Sequence, residues 1–209
     1  MSIYALKGRF QGLLRPAVRA LHGAGITANQ VTLAAAALSL LVAAAVFALA
    51  PGQPLLYLLL PGWMLLRMAL NAIDGMLARE FGQKSPLGAY LNELCDAVSD
   101  TALYLSLLSV PGVQPQLLWA MAAISLLTEY AGVLGLMVGA SRRYDGPMGK
   151  SDRAFVIGVI GLLLALGWVG GPGVDVAAAI VAALCLPTVW RRVGAGLREA
   201  REAPGRRGE

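Results

Sequence analysis

Long apolar runs separated by short polar connections fill most of this chain, at residues 31–50, 55–77, 88–110, 116–140, 153–170 and 174–190. Each approaches or reaches the ~20 residues that a helix needs to cross a bilayer, so six transmembrane helices are predicted. The first 25 residues follow another pattern. Leu6, Phe10, Leu13, Leu14, Val18 and Leu21 fall on one side of a helix, with Lys7, Arg9, Arg15 and Arg19 among them. That is the pattern of a basic amphipathic helix lying on the membrane surface, held by apolar burial and by anionic lipid. The first long run has no A-x-A cleavage end and reads as a retained span, not a signal peptide. The expected fold is an all-α integral membrane protein of one domain. It comprises an interfacial helix (1–25), a six-helix transmembrane core (26–192) and a basic tail (193–209), with no internal repeat.

Composition agrees with the pattern: 57% of residues are hydrophobic and 14% charged, against about 25% charged in ordinary soluble domains. The placement of charge adds orientation. Lys and Arg precede the first run, lie between the second and third (Arg79, Lys84) and between the fourth and fifth (Arg142, Arg143, Lys150, Arg153), and follow the sixth from Arg191 onward. The connections PGQP, VPGVQPQ and GWVGGPGV carry none. Both termini are therefore expected in the cytoplasm, in a multi-pass protein of the plasma (inner) membrane. The net charge of +5 is accounted for by topology and lipid contact, and no nucleic-acid partner is expected. Cys95 and Cys185 sit in apolar runs and read as reduced small hydrophobes.

The departure from this apolar plan lies between Asn71 and Asp100. Asp74, Glu93, Asp96 and Asp100 fall on the second and third runs, where each carboxylate costs ~2.5 to 3.5 kcal/mol on an insertion scale. Asn71 and Asp74 stand one turn apart on one helix, and Asn92 and Asp96 do so on the next. A turn carrying Gly82, Lys84 and Pro86 joins the two helices, so their oxygen-bearing faces converge. Converging oxygens in a partly dry site suit a hard divalent cation, Mg²⁺ or Mn²⁺. The candidate ligands are Asn71, Asp74, Asn92 and Asp96, with Glu93 and Asp100 as neighbouring acids able to restore charge.

Asp74, Gly75, Ala78, Arg79, Gly88 and Asp96 stand at the spacing D-G-x2-A-R-x8-G-x7-D. In this the chain resembles the CDP-alcohol phosphotransferases, membrane enzymes that join a CDP-activated alcohol to a hydroxyl acceptor. It departs from their pattern at Asn71 and Asn92, where the family has aspartates. The resemblance implies a phosphatidyltransferase that uses a CDP-alcohol, with CDP-diacylglycerol the expected one, and releases CMP. It makes Asp96 the catalytic base as well as a metal neighbour. It also assigns the nucleotide to Thr27, Asn29, Thr32, Asp74, Gly75, Ala78, Arg79 and Gly88, places the active site at the cytoplasmic face, and implies a homodimer.

The basic loop SRRYDGPMGKSDR brings Arg142, Arg143, Lys150 and Arg153 together as a candidate site for a phosphate-bearing acceptor, and Ser151 or Asp152 can cap the helix that follows. Topology alone accounts for the same charges. Gly149-Lys150-Ser151 is no P-loop, since the leading glycine of that motif falls on Tyr144. Gly135 and Gly139 form a GxxxG suited to close helix packing. Arg67, deep in the second run, has Glu129 of the fourth as a conceivable partner. Two other functions are open: a family member that binds nucleotide or lipid without turnover, and an ion-coupled transporter. Neither the missing repeat nor the motif spacing favours the transporter.

Overall fold

Seven α-helices and four short 3₁₀ turns make up the computed structural model, which describes residues 3–202 and shows no strand among them. Residues 1–2 and 203–209, which include the end of the expected tail, lie outside the described residues, as do the side chains of residues 3–9 with Leu6, Lys7 and Arg9. The helices are α1 (Ile3–Gly23), α2 (Ala28–Leu49), α3 (Leu59–Glu80), α4 (Pro86–Leu105), α5 (Pro115–Leu134), α6 (Lys150–Ala165) and α7 (Gly171–Glu202). Helices α2 to α7 follow the six apolar runs in order.

Their starts are written in the sequence. Thr27 caps α2 by accepting the Gln30 amide, and the Gln30 side chain accepts the Thr27 amide in return, which satisfies two otherwise orphaned donors. Ser85 caps α4 through the Gly88 amide, with Pro86 in the first turn, and Pro115 opens α5, as proline does where no amide partner is needed. For α6 the cap is Asp152, which accepts the Gly149 amide at 2.9 Å. The expected GxxxG does not form a helix face. Gly135 begins a 3₁₀ turn, and Gly139 ends it at φ +80°, a conformation that favours glycine. Gly135 instead lies so close to the Ser141 carbonyl that a Cβ there would be 2.8 Å from it.

Four helical stretches are long and apolar enough to cross a membrane by length and composition: Ala28–Gly52, Pro54–Glu80, Pro115–Val138 and Gly171–Glu202. Helix α4 carries Glu93, Asp96 and Asp100, and α6 has only 16 residues. The chain is a multi-pass, all-helical membrane protein. Its largest core gathers Val46, Leu60, Leu103, Leu118, Met121 and Val181 from α2 to α5 and α7. Large apolar side chains such as Leu41, Phe47, Leu65, Trp119 and Phe155 point outward, as they do where the surroundings are lipid.

Helix α1 docks on the end of α3. Val18 is fully buried against Ile73, Met76 and Leu77, Arg15 pairs with Glu80 at 3.0 Å, and His22 stacks on Phe81. Leu13, predicted on the apolar side, is 79% exposed; the docked face runs through Leu14, Val18 and Leu21, one residue round the helix.

The two ends of the bundle differ in charge. At one end the Ala28 amide donates to Gln83, Arg142 pairs with Glu93, and Ser141 and Arg143 bind Glu199 near the end of α7. At the other, the Gln114 amide donates to Asp175 and Gly171 presses on the backbone of Pro111 and Gly112. Bare glycines allow such approaches elsewhere too. A Cβ on Gly161 of α6 would stand 2.8 Å from both the Tyr57 carbonyl and the Leu60 Cβ. Gly161→Ala is expected to cost about 1–3 kcal/mol through overpacking, read as a lower thermal midpoint of the detergent-solubilised protein.

Candidate active site

Helices α3 and α4 lie on either side of a polar cavity of about 650 Å³ at the charged end of the bundle. Its walls include Asn29, Thr32, Asp74, Gly75, Ala78, Arg79 and Gly88, so seven of the eight residues expected around the nucleotide share one chamber. The eighth, Thr27, is occupied as the α2 cap. Asn92 and Glu93 complete the α4 side. The chamber owes its shape to small residues. A Cβ on Gly88 would meet the Asn29 side chain at 2.8 Å, and one on Gly75 would meet the Arg79 guanidinium, folded back along its own helix, at 3.0 Å.

Asp74 is buried and accepts a hydrogen bond from Thr32 Oγ1 at 2.8 Å. Among the described residues it has no ion-pair partner. One turn earlier, Asn71 faces α4, and its Nδ2 donates to Asp96 Oδ1 at 3.3 Å. Asp96 is held on both oxygens: Arg67 donates to Oδ1 at 2.9 Å, and Lys150 of α6 pairs with Oδ2. Glu129, a conceivable partner of Arg67 from depth alone, does not pair with it. Arg67 instead binds Asp100 and Asp96, one helix turn apart on α4, because α3 packs against the α4–α6 side and Glu129 has other partners.

Those partners form the second polar centre. Glu129 accepts from Arg153 at 2.6 Å and Arg142 at 3.2 Å, and pairs with Arg192 at 3.4 Å. Arg142 also donates to Glu93 at 2.6 Å and lies over the Tyr144 ring. Arg153 and Arg192 are each 1% exposed. Arg153 spends further donors on Tyr104, Thr128 and the Met148 carbonyl. Arg143 binds Asp145 and Glu199, and its hydrogen bond holds the Asp145 carboxyl below the usual carboxylate range. Of the four basic residues expected at an acceptor site, Arg142, Lys150 and Arg153 reach α4 through Glu93, Asp96 and Tyr104, and Arg143 turns to the end of α7; each has a carboxylate partner. Glu93 and Asp100, read as acids that could restore charge to a metal site, are engaged by Arg142 and Arg67.

Among the described residues no three His, Cys, Asp or Glu side chains converge as a metal cluster. What α3 and α4 offer is two carboxylates, Asp74 and Asp96, with two amides, Asn71 and Asn92. This all-oxygen donor set suits one hard divalent cation and not a thiolate-seeking one. Sequence reasoning missed Gln83, Tyr104, Arg192 and the hub role of Glu129. The signal for Glu129 was present, as an acid inside an apolar run needs a partner; Arg192 was hidden among the basic residues that follow the last run.

A second hollow, of about 610 Å³, is an apolar groove between α3 and α6. It runs from Arg67, Asn71 and Lys150 past Met64, Met68 and Ala154 to Leu162. Asn71 on the groove and Asp74 on the polar cavity are one turn apart, so the two hollows lie on adjoining parts of α3.

The sequence model of the family described as CDP-alcohol phosphatidyltransferase matches residues 25–190. Inner membrane protein YnbA of Escherichia coli (strain K12) is 48% identical over 166 residues, covering 79% of this chain and 82% of that protein. Archaetidylinositol phosphate synthase of Aeropyrum pernix is 36% identical over 92 residues, 44% of this chain and 47% of that one. In fold, the chain is similar to Mycobacterium tuberculosis phosphatidylinositol phosphate synthase (PgsA1). The crystal structure with CDP-DAG bound gives a TM-score of 0.71 at 21% identity, covering 93% of this chain and 96% of the other. The complex of the same protein with manganese and citrate gives 0.72 at 21% identity, covering 93% and 91%.

The Arg67 cluster makes a stability prediction. Arg67→Met strands Asp100 among buried neighbours, and loss of about 3–5 kcal/mol is expected, as for removing one partner of a buried ion pair. Arg67→Met with Asp100→Asn should recover part of that loss. Thermal unfolding of both variants in detergent checks this; equal midpoints for the two would mean that Asp100 does not depend on Arg67.

Proposed function

The chain belongs to the CDP-alcohol phosphatidyltransferase family, and from that membership we propose that it transfers the phosphatidyl group of CDP-diacylglycerol to a hydroxyl acceptor, releasing CMP. The observation that carries this reading is that a polar, nucleotide-sized cavity and a groove lined by apolar side chains lie on adjoining parts of α3, one at Asp74 and the other at Asn71. A CDP-lipid is a molecule with those two halves. The cytidine diphosphate would lie against Asn29, Thr32, Gly75, Ala78, Arg79 and Gly88, and the acyl chains along Met64, Met68, Ala154 and Leu162. The CDP-DAG bound by the mycobacterial neighbour supports the assignment.

The acceptor oxygen attacks the phosphorus that carries the diacylglycerol. The new O–P bond forms as the bond from that phosphorus to the anhydride oxygen breaks, and the electron pair leaves with CMP. Asp96 takes the acceptor proton, the role of a carboxylate within reach of an attacking hydroxyl. Arg67 and Asn71 fix Oδ1, and Lys150, on a flexible stem, covers Oδ2. Asp74 with Asn71 and Asn92, next to Asp96, would hold Mg²⁺ or Mn²⁺, which when bound supplies neutralisation of the pyrophosphate charge. The manganese complex of PgsA1 supports that choice. Arg142, Arg143, Lys150 and Arg153 border the acceptor side.

The same reading has α2 to α7 each crossing the membrane, with both termini and the charged end in the cytoplasm, where the nucleotide is. It rests on the concentration of Lys and Arg at that end. Helix α4 crosses despite its three acids because Arg67, Arg142 and Lys150 meet them. A dimer of such units in the inner membrane completes the picture.

The decisive experiment compares two aspartates by CMP release and by CDP-diacylglycerol affinity. Asp96→Asn is expected to lower turnover by about two orders of magnitude or more with affinity largely kept. Asp74→Asn should weaken both, since the ligand to the metal also holds the pyrophosphate. An active Asp96→Asn protein sinks the base assignment, and wild-type protein that binds the nucleotide but never releases CMP favours a binding-only member. A separate prediction concerns the two amides. Asn71→Asp with Asn92→Asp should raise the apparent affinity for Mn²⁺, because charged oxygens bind hard cations more tightly. Titration of metal against CMP release checks it, and an unchanged midpoint would place the metal elsewhere.

A further inference from the structure

Around α4, α5, α6 and the end of α7, the six cations that border the acceptor side are matched by six carboxylates, while Arg79 and Lys84, without an ion pair among the described residues, lie on the nucleotide cavity. The six cations are Arg67, Arg142, Arg143, Lys150, Arg153 and Arg192, and the six acids paired with them are Glu93, Asp96, Asp100, Glu129, Asp145 and Glu199. Recognition of a phosphate group needs either a guanidinium fork with both prongs free or an ammonium without a closer anion. None of the six offers that. Arg153 and Arg192 are sealed, with donors committed to Glu129, Thr128, Tyr104 and backbone carbonyls. Arg142 reaches the cavity side already bonded to Glu93 and Glu129, and Lys150 is on Asp96.

From this charge balance we infer that the acceptor carries no phosphate: it is a polyol or another alcohol without net negative charge. The inference rests on the transferase reading above and narrows it. A phosphomonoester brought beside Glu93, Glu129 and Asp96 would add about two negative charges to a set that is already neutral. It would also have to displace a carboxylate from each arginine it touched. A hydroxyl group has no such conflict, because it donates and accepts at once. The half-exposed edges of Glu93, Asp96, Arg142 and Lys150 present acceptors and donors side by side, which matches a chain or ring of hydroxyls.

The test uses full-length protein in detergent with CDP-diacylglycerol and Mn²⁺, and follows CMP release with two pairs of acceptors: glycerol against glycerol 3-phosphate, and inositol against inositol 1-phosphate. A preference of about tenfold or more in kcat/KM for an unphosphorylated acceptor is expected. Inorganic sulfate should leave the wild type uninhibited. Glu93→Gln releases one prong of Arg142, and sulfate should then compete with the acceptor. Preference for a phosphorylated acceptor, or sulfate competition in the wild type, overturns the inference and leaves the transferase standing. CMP release with none of the four, together with no measurable CDP-diacylglycerol binding, overturns the transferase reading and this inference with it. Release with none of them despite tight binding overturns the transferase reading in favour of a member that only binds, and this inference with it.

Discussion

Charge inside an apolar bundle must be met by charge, and the architecture turns on that constraint. A lone carboxylate at membrane depth is costly, and a lone guanidinium is no better. The chain answers with two groups of ion pairs. Arg67 joins Asp96 and Asp100, binding α3 to α4. Glu129 gathers Arg142, Arg153 and Arg192, binding α5 to the loop that follows it, to α6 and to α7. With Lys150 on Asp96 the two groups join, so that α3 to α7 are all tied at the same end. Helix ends elsewhere rely on capping side chains and glycine contacts, whose individual contributions are smaller.

The pairing also sorts the polar residues by availability. Glu93 and Asp100 have the composition of ligands, yet each is engaged by an arginine. Asp74 accepts from a threonine hydroxyl and has no ion-pair partner among the described residues, and it lies on the wall of the cavity. A site that is to bind a cation needs such an oxygen, held in place without being neutralised. The position is kept open by small neighbours: Gly75 and Ala78 on its own helix, Gly88 opposite, and Asn29 in the space that Gly88 leaves. Fold stability and ligand binding therefore draw on the same helix faces while using different side chains.

How far the sequence could be read follows from range. Helix starts depend on neighbours within four residues, so Thr27, Ser85 and Pro115 announce themselves. The acidic stretch from Asn71 to Asp100 is a local pattern as well, and the cavity collects almost every residue predicted for the nucleotide. Partner choice is not local. Arg67 and Asp100 are 33 positions apart, and Arg192 meets the Thr128 carbonyl across 64; depth in an apolar run says that each needs a partner but not which one. The GxxxG reading failed for a related reason. Gly139 has the residue type of a packing face, but the left-handed turn at that position ends the helix, and Gly135 makes room for the returning loop instead of another helix.

Hydropathy shows the same limit from the other direction. Helix α4 is as long as α5, yet its acids keep it out of any set of spans chosen by length and apolar content. Those acids are the reason it belongs in the bundle. Asp100 and Asp96 secure it to α3, Glu93 fixes the loop through Arg142, and Asp96 also meets Lys150 at the start of α6. A helix with fewer charges would insert more readily and would leave Arg67 and Arg142 without partners. The acids of α4 thus complete the neutral set that the arginines of α3, α6, α7 and the loop require, and an anionic acceptor would disturb that neutrality first.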